Sequence, residues 1–349
     1  VPEIPTRTRD HRMDAAKGIL IILVVLGHFL EATAGWEARS TRLPLTAIYL
    51  FHMPAFVFLA GITSKPTQLP RRIGTFVVML VLFQSLYFME VHLIGLNKTF
   101  SLLIPFWILW FLLAMCWWQL LMPLIHKFPK TSVVASLIIP SFTGTFESIG
   151  YDLTLSRTLV FLPFFVIGAT YGQSILRTAY RLPKTAKIVG IAVAFGAWAY
   201  LFAREIRPGW LYGSFSFDRL KVEDGTGVLI RAGLMILAMV IVFTFLSLVP
   251  NTRGALATLG RRSLAVFALH GFLVLAVTPL MPVILHKSGN LVAVGVCLLM
   301  TALAAIVFAA PAFDRSIRLM SQRTVDLVLK PFASQSTPSA FGLKMPRTK

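Results

Sequence analysis

The amino-acid sequence predicts an all-α polytopic membrane protein with about ten transmembrane helices. Three observations carry this. Of the 349 residues, 56% are hydrophobic and 13% charged, against roughly 25% charged in an ordinary soluble domain. Apolar runs of about 20 residues recur along nearly the whole chain, each long enough to cross a hydrocarbon layer about 30 Å thick as a helix. The period-2 alternation of a membrane barrel is absent.

Hydropathy places spans at about 16–35, 43–62, 72–95, 103–123, 132–148, 156–175, 187–204, 226–249, 263–285 and 290–311. The fifth is the weakest, being short and carrying Pro140 and Gly144. The charge between spans argues for keeping it. With ten spans and the N-terminus inside, one side collects Arg7, Arg9, Arg12 and Lys17, then Lys65, Arg71 and Arg72, then Lys127 and Lys130. The same side receives Arg177, Arg181, Lys184 and Lys187, then Arg253, Arg261 and Arg262, and a basic tail from Arg315 to Lys349. Nine spans would move the 177–187 cluster and the tail outside, against the positive-inside tendency. Both termini are therefore expected in the cytoplasm, with residues 1–13 an N-terminal segment, 14–311 the membrane domain and 312–349 a basic tail expected to be disordered. Basic residues before the first run and Ala32-Thr33-Ala34 after it resemble a signal peptide, but the length of the run and a polar stripe on it argue for a retained span.

The formal net charge of +19 would suggest nucleic acid in a soluble protein. Here the cations lie between spans and serve topology, so no nucleic-acid partner is expected, and the surrounding lipids are. Cys116 and Cys297 each lie inside an apolar run and read as small buried hydrophobes without a disulfide or metal framework.

Ionisable side chains within spans are expensive and mark candidate function. On the first span, the eleven steps from Lys17 to His28 return to nearly the same helix face, and Asp14 lies within about 40° of that line. A rise of about 1.5 Å per residue puts His28 roughly 16 Å above Lys17, past the membrane midplane. Asp14 is too far from His28 to bond it and is expected to pair with Lys17 across one turn. The second span carries His52 at comparable depth, followed by Pro54, which removes a backbone donor and loosens the helix one turn toward its start. Two imidazoles at one depth in adjacent helices point to a polar cavity. The sequence places no third ligand beside them, so no metal site is expected.

These residues resemble acyltransferase family 3, the ten-helix membrane acyltransferases. The Lys17/His28 spacing is similar to its first-helix signature, and the run from Phe51-His52-Met53-Pro54 to Gly61 is similar to the second-helix motif of the fucose 4-O-acetylase-like branch. Trp107 to Ala114, Arg157 followed by Phe161 to Gly168, and Leu259 to Leu264 running on to His270 agree in order, so the likeness covers about 12–311. Lys17 stands where many members have Arg, keeping the charge and losing the bidentate fork.

The resemblance implies an acetyl-CoA co-substrate used from the cytoplasm, no bound cofactor, an exported or lipid-linked saccharide acceptor, and polysaccharide-assembly proteins as candidate partners in a bacterial inner membrane. A sugar hydroxyl is a weak nucleophile and attack on a thioester needs a base, for which imidazole is suited near neutral pH. His28 is that candidate, with Lys17, His52 and Asp14 as further catalytic candidates. Arg157 matches a family Arg. Glu90, His270 and Trp210 join it as candidates for substrate binding, Glu90 and His92 also reading as interfacial. Arg231, one turn into the eighth span, reads as a residue snorkelling outward. The loop at 204–225, with Trp210, Tyr212, Phe215 and Phe217, reads equally as a saccharide-stacking surface or an aromatic belt. Arg71, Arg72, Arg177, Arg181, Arg261 and Arg262 are available to the phosphates of CoA, although all six also serve orientation. Gly168 and Gly172 have the small-residue spacing that lets membrane helices approach closely. Two rival functions are a flippase for a lipid-linked saccharide, against which no internal repeat is visible, and a non-catalytic membrane scaffold.

Overall fold

Long apolar runs form helices because no water is present to satisfy a free backbone, and the computed structural model, which describes residues 10–95, 99–101 and 103–333, contains no strand among them. The helices are α1 (Arg12–Thr33), α2 (Arg39–Tyr49), α3 (His52–Thr63), α4 (Leu69–Leu93), α5 (Trp110–Lys127), α6 (Pro129–Phe142), α7 (Leu155–Val160) and α8 (Leu162–Tyr180). They continue with α9 (Lys184–Ala203), α10 (Pro208–Tyr212), α11 (Asp224–Leu248), α12 (Ala255–Arg261), α13 (Ser263–Val277), α14 (Met281–Phe308) and α15 (Pro311–Ala333).

Among the described residues, seven segments are long and apolar enough to span a membrane, or nine if the bent pairs α7/α8 and α12/α13 each count as one span. The expected fifth span at 132–148 is α6, which stops after 14 residues at Phe142 and continues only as a single 3-10 turn, Thr143–Thr145. The expected ninth span at 263–285 is also corrected. It turns by 83° at its start, between α12 and α13, and ends at Val277. The last span begins at Gly289, whose φ of +78° interrupts α14.

Pro54 has the anticipated consequence. The second span breaks at Leu50–Phe51, one turn before it, separating α2 from α3, and the His52 Nδ1–H donates to the Ile48 carbonyl at 2.8 Å, which also accepts from the Phe51 amide at 3.3 Å.

The tail is corrected over its first part. Residues 312–333, expected to be disordered, belong to α15, because Ile317, Ser321 and Val325 recur every four residues and are buried. Arg71 pairs with Asp326 at 3.0 Å and Arg318 donates to the Arg261 carbonyl at 2.9 Å, tying α15 to α4 and α12. Residues 334–349, and Arg7 and Arg9 of the N-terminal basic cluster, lie outside the described residues.

Two backbone-to-backbone crossings set the frame. A Cβ on Gly260 would lie 1.7 Å from the Asp14 carbonyl, and one on Gly168 would lie 2.2 Å from the Phe58 carbonyl. Thus α12 seats on the start of α1, and α8 on α3, as small residues permit. Gly260→Val is expected to lower stability by about 1–3 kcal/mol through overpacking, checked as a lower melting temperature in detergent against a Gly254→Val control, whose Cβ would meet open space.

Candidate active site

The site grows from the His28 end of α1. His28 Nδ1 lies 3.2 Å from Glu31 Oε2 one turn further along the helix. A carboxylate only accepts, so Nδ1 carries the proton and Nε2 presents its lone pair. Glu31 is held in turn by the Tyr212 hydroxyl, which donates to Oε1, and the Trp36 indole donates to Tyr212 at 2.7 Å. Burial first, and then the neighbouring Glu31, push the Tyr212 hydroxyl far above the usual phenol range, so it remains a donor.

The His28 ring is wedged between two others. Trp107 meets it edge-on at 4.6 Å, and His270 stacks against it at 5.4 Å. Trp107 holds a left-handed φ of +41°, a cost of about 1–3 kcal/mol that a side chain position imposed by its surroundings sustains. His270 donates from Nδ1 to the Val266 and Phe267 carbonyls and is fully buried.

Two cavities meet at His28. The larger, about 370 Å³, is lined by His28, Glu31, Trp36, Tyr49, His52, Trp107, Trp110, Tyr151, Arg157 and Tyr212, among others. Its wall is polar and aromatic. The smaller, about 100 Å³, is lined by His28, Val24, Met53, Phe56, Phe111, Ser263, Leu264 and Phe267, and runs to the start of α13, next to Arg261 and Arg262. Met53, Ile108 and Trp110 belong to both. The Arg157 guanidinium lies over the Trp110 and Tyr151 rings at 5.1 and 5.4 Å, with Nε free of any hydrogen-bond partner among the described residues.

Of the candidates from sequence, His28, His52 and Arg157 line the larger cavity, and His270 contacts His28 from behind. Lys17 and Asp14 lie at the opposite end of α1 in a charged cluster with Arg318 and Arg261, whose Nη1 is 3.8 Å from Asp14 Oδ2. Arg262 donates to the Ala309 carbonyl at 2.9 Å and Arg72 to the Thr67 carbonyl at 3.1 Å. Arg71 is engaged by Asp326, and Arg177 is exposed on α8. Glu90, near the end of α4, does not line either cavity. Trp210 lines a further cavity together with Arg231 and Tyr49. It packs 5.9 Å from Phe217 and under Arg231, while its neighbour Tyr212 turns into the site.

Glu31 is the residue that sequence reasoning missed. Its signal was available, since it lies three positions after His28 on one helix face.

A family model described as an acyltransferase domain matches residues 10–310. Nodulation protein NolL of Sinorhizobium fredii is 29% identical over 211 residues, 55% of this chain and 55% of that protein. Nodulation protein NolL of Mesorhizobium japonicum is 43% identical over 62 residues, 17% of each. The chain thus matches about half the length of the first relative and less of the second. No solved structure matches it.

Proposed function

Since the chain belongs to acyltransferase family 3, we propose that this membrane O-acyltransferase moves an acetyl or similar acyl group from acyl-CoA, used at the Lys17 end, to a hydroxyl of an exported or lipid-linked saccharide at the His28 end. The observation that carries this is the position of His28 in the shared wall of a polar cavity and an apolar one. The polar, aromatic cavity suits a sugar. The apolar one suits the acyl thioester and its pantetheine arm, arriving past the start of α13.

His28 Nε2 takes the proton of the acceptor hydroxyl as its oxygen attacks the thioester carbonyl carbon. The carbon–sulfur bond breaks, and the imidazolium returns the proton to the departing CoA thiolate. Glu31 holds the reactive tautomer and stabilises the imidazolium. Arg157 fixes an acceptor oxygen, and Lys17, Arg261 and Arg318 meet the donor's phosphates.

The topology that this chemistry needs is ten passes with both termini cytoplasmic in a bacterial inner membrane. It is supported by α6, which leaves the Lys17 end at Pro129 and reaches Gly144 under Phe217 at the His28 end. The basic residues of α1, α4, α12 and α15 at the Lys17 end agree with it.

Mass spectrometry of surface glycans from cells with and without the protein tests the reading. Acyl esters are expected to vanish while the amount of glycan stays constant. Unchanged esters overturn the proposal, and loss of glycan export favours a flippase. Arg157→Met is expected to raise KM for the saccharide about ten-fold or more, the worth of a charge-assisted hydrogen bond, with a smaller change in KM for acyl-CoA. Equal changes in both would remove Arg157 from the acceptor side.

A further inference from the structure

Arg231 on α11 is a cation that the transfer chemistry leaves unused. It is 4% exposed, so it does not snorkel to water. Nη2 donates to the Phe215 carbonyl at 3.0 Å, and the guanidinium lies over Phe217 at 4.9 Å and Trp210 at 5.7 Å. Nη1 has no hydrogen-bond partner among the described residues. A buried guanidinium with no carboxylate beside it is costly unless an anion completes it.

The surroundings indicate the shape of that anion. Arg231 lines a cavity of about 50 Å³ whose wall includes Tyr49, Phe161 and Leu211, all three of which also line the His28 cavity. Met235 and Ala238 carry the same small cavity along α11. One turn further, Val242 and Leu246 line an apolar cavity of about 230 Å³ against α8, and Phe164 belongs to both. From Arg231 to Leu246 is roughly 22 Å of helix at 1.5 Å per residue. The result is an apolar groove along the α8/α11 seam, capped at its His28 end by the Arg231 guanidinium, which no carboxylate among the described residues neutralises, and adjoining the transfer site.

We propose that this groove holds the lipid anchor of the acceptor: a saccharide phosphate-linked to a long hydrocarbon, its phosphate on Arg231, its chain between α8 and α11, and its sugar in the His28 cavity. The saccharide's part rests on the acyl-transfer reading above, whereas the lipid-phosphate site rests on the groove itself. Continuity with the His28 cavity argues for the acceptor's own phosphate over that of a bulk phospholipid.

The test is native mass spectrometry of the full chain released from nanodiscs, with a polyisoprenyl monophosphate, the corresponding polyisoprenol and inorganic phosphate as probes. The wild type is expected to retain the polyisoprenyl monophosphate about ten-fold or more over the alcohol, and to retain no inorganic phosphate. Arg231→Met should abolish the preference for the phosphate and Arg231→Lys should restore part of it. Val242→Trp, which fills the groove without touching the cation, should weaken retention of both lipids. Equal retention of phosphate and alcohol by the wild type, or an unchanged preference in Arg231→Met, overturns the proposal. Displacement by equimolar phosphatidylglycerol assigns the groove to bilayer lipid and overturns the acceptor assignment. Retention is read without catalysis, so the two readings fail separately. Loss of binding with transfer intact sinks the groove alone, and intact phosphate preference in a protein that transfers no acyl group sinks the acyltransferase reading alone.

Discussion

Replacing His28 with alanine is expected to lower acyl transfer by about 10²–10⁴-fold, the usual contribution of a positioned general base, while leaving protein abundance unchanged. Neither neighbouring imidazole hydrogen-bonds to a carboxylate among the described residues, as His28 does to Glu31. His52 is buried and commits its Nδ1–H to the Ile48 carbonyl, and His270 is fully buried behind the His28 ring. Alanine leaves a hole beside Trp107 in a wall that already faces cavities, so the loss of packing is small compared with a closed core site. Rates in isolated membranes, normalised to protein level by immunoblot, check this. Wild-type rates at normal abundance would remove His28 from the chemistry.

Glu31→Gln is expected to lower kcat by about 10²-fold or more with little change in KM, because an orienting carboxylate acts on tautomer and imidazolium and not on substrate affinity. Glutamine keeps the shape and still accepts from one neighbour, but its amide cannot stabilise an imidazolium, and either ring tautomer can then pair with it. A merely structural Glu31 would give another pattern: a lower melting temperature and loss of protein with kcat per folded molecule preserved. Tyr212→Phe removes one donor to Glu31 and should produce the same signature more weakly.

The helical stripe was legible because periodicity within one helix needs no tertiary knowledge. Lys17 and His28 lie at opposite ends of α1, one in a charged cluster and the other in a cavity. The break before His52 was legible for the same reason, since Pro54 acts on its own turn. What escaped was set by contacts distant in sequence. Tyr212 reaches Glu31 across 181 positions, and its turn into the site follows from how the 204–225 loop folds, pinned where the Phe217 amide donates to the Gly144 carbonyl at 2.7 Å. His270 meets His28 because α13 turns 83° from α12, a bend that no local pattern announces. Basic composition hid α15, whose buried residues Ile317, Ser321 and Val325 repeat every four positions and whose partners are on α4 and α12.

The most direct measurement is sidedness of transfer in sealed proteoliposomes of defined orientation, with acyl-CoA carrying a labelled acyl group. Label is expected to enter the saccharide ester when donor is supplied at the Lys17 face and acceptor at the His28 face, and in no other arrangement. Label incorporated only when donor and acceptor share one face would contradict transfer across the membrane.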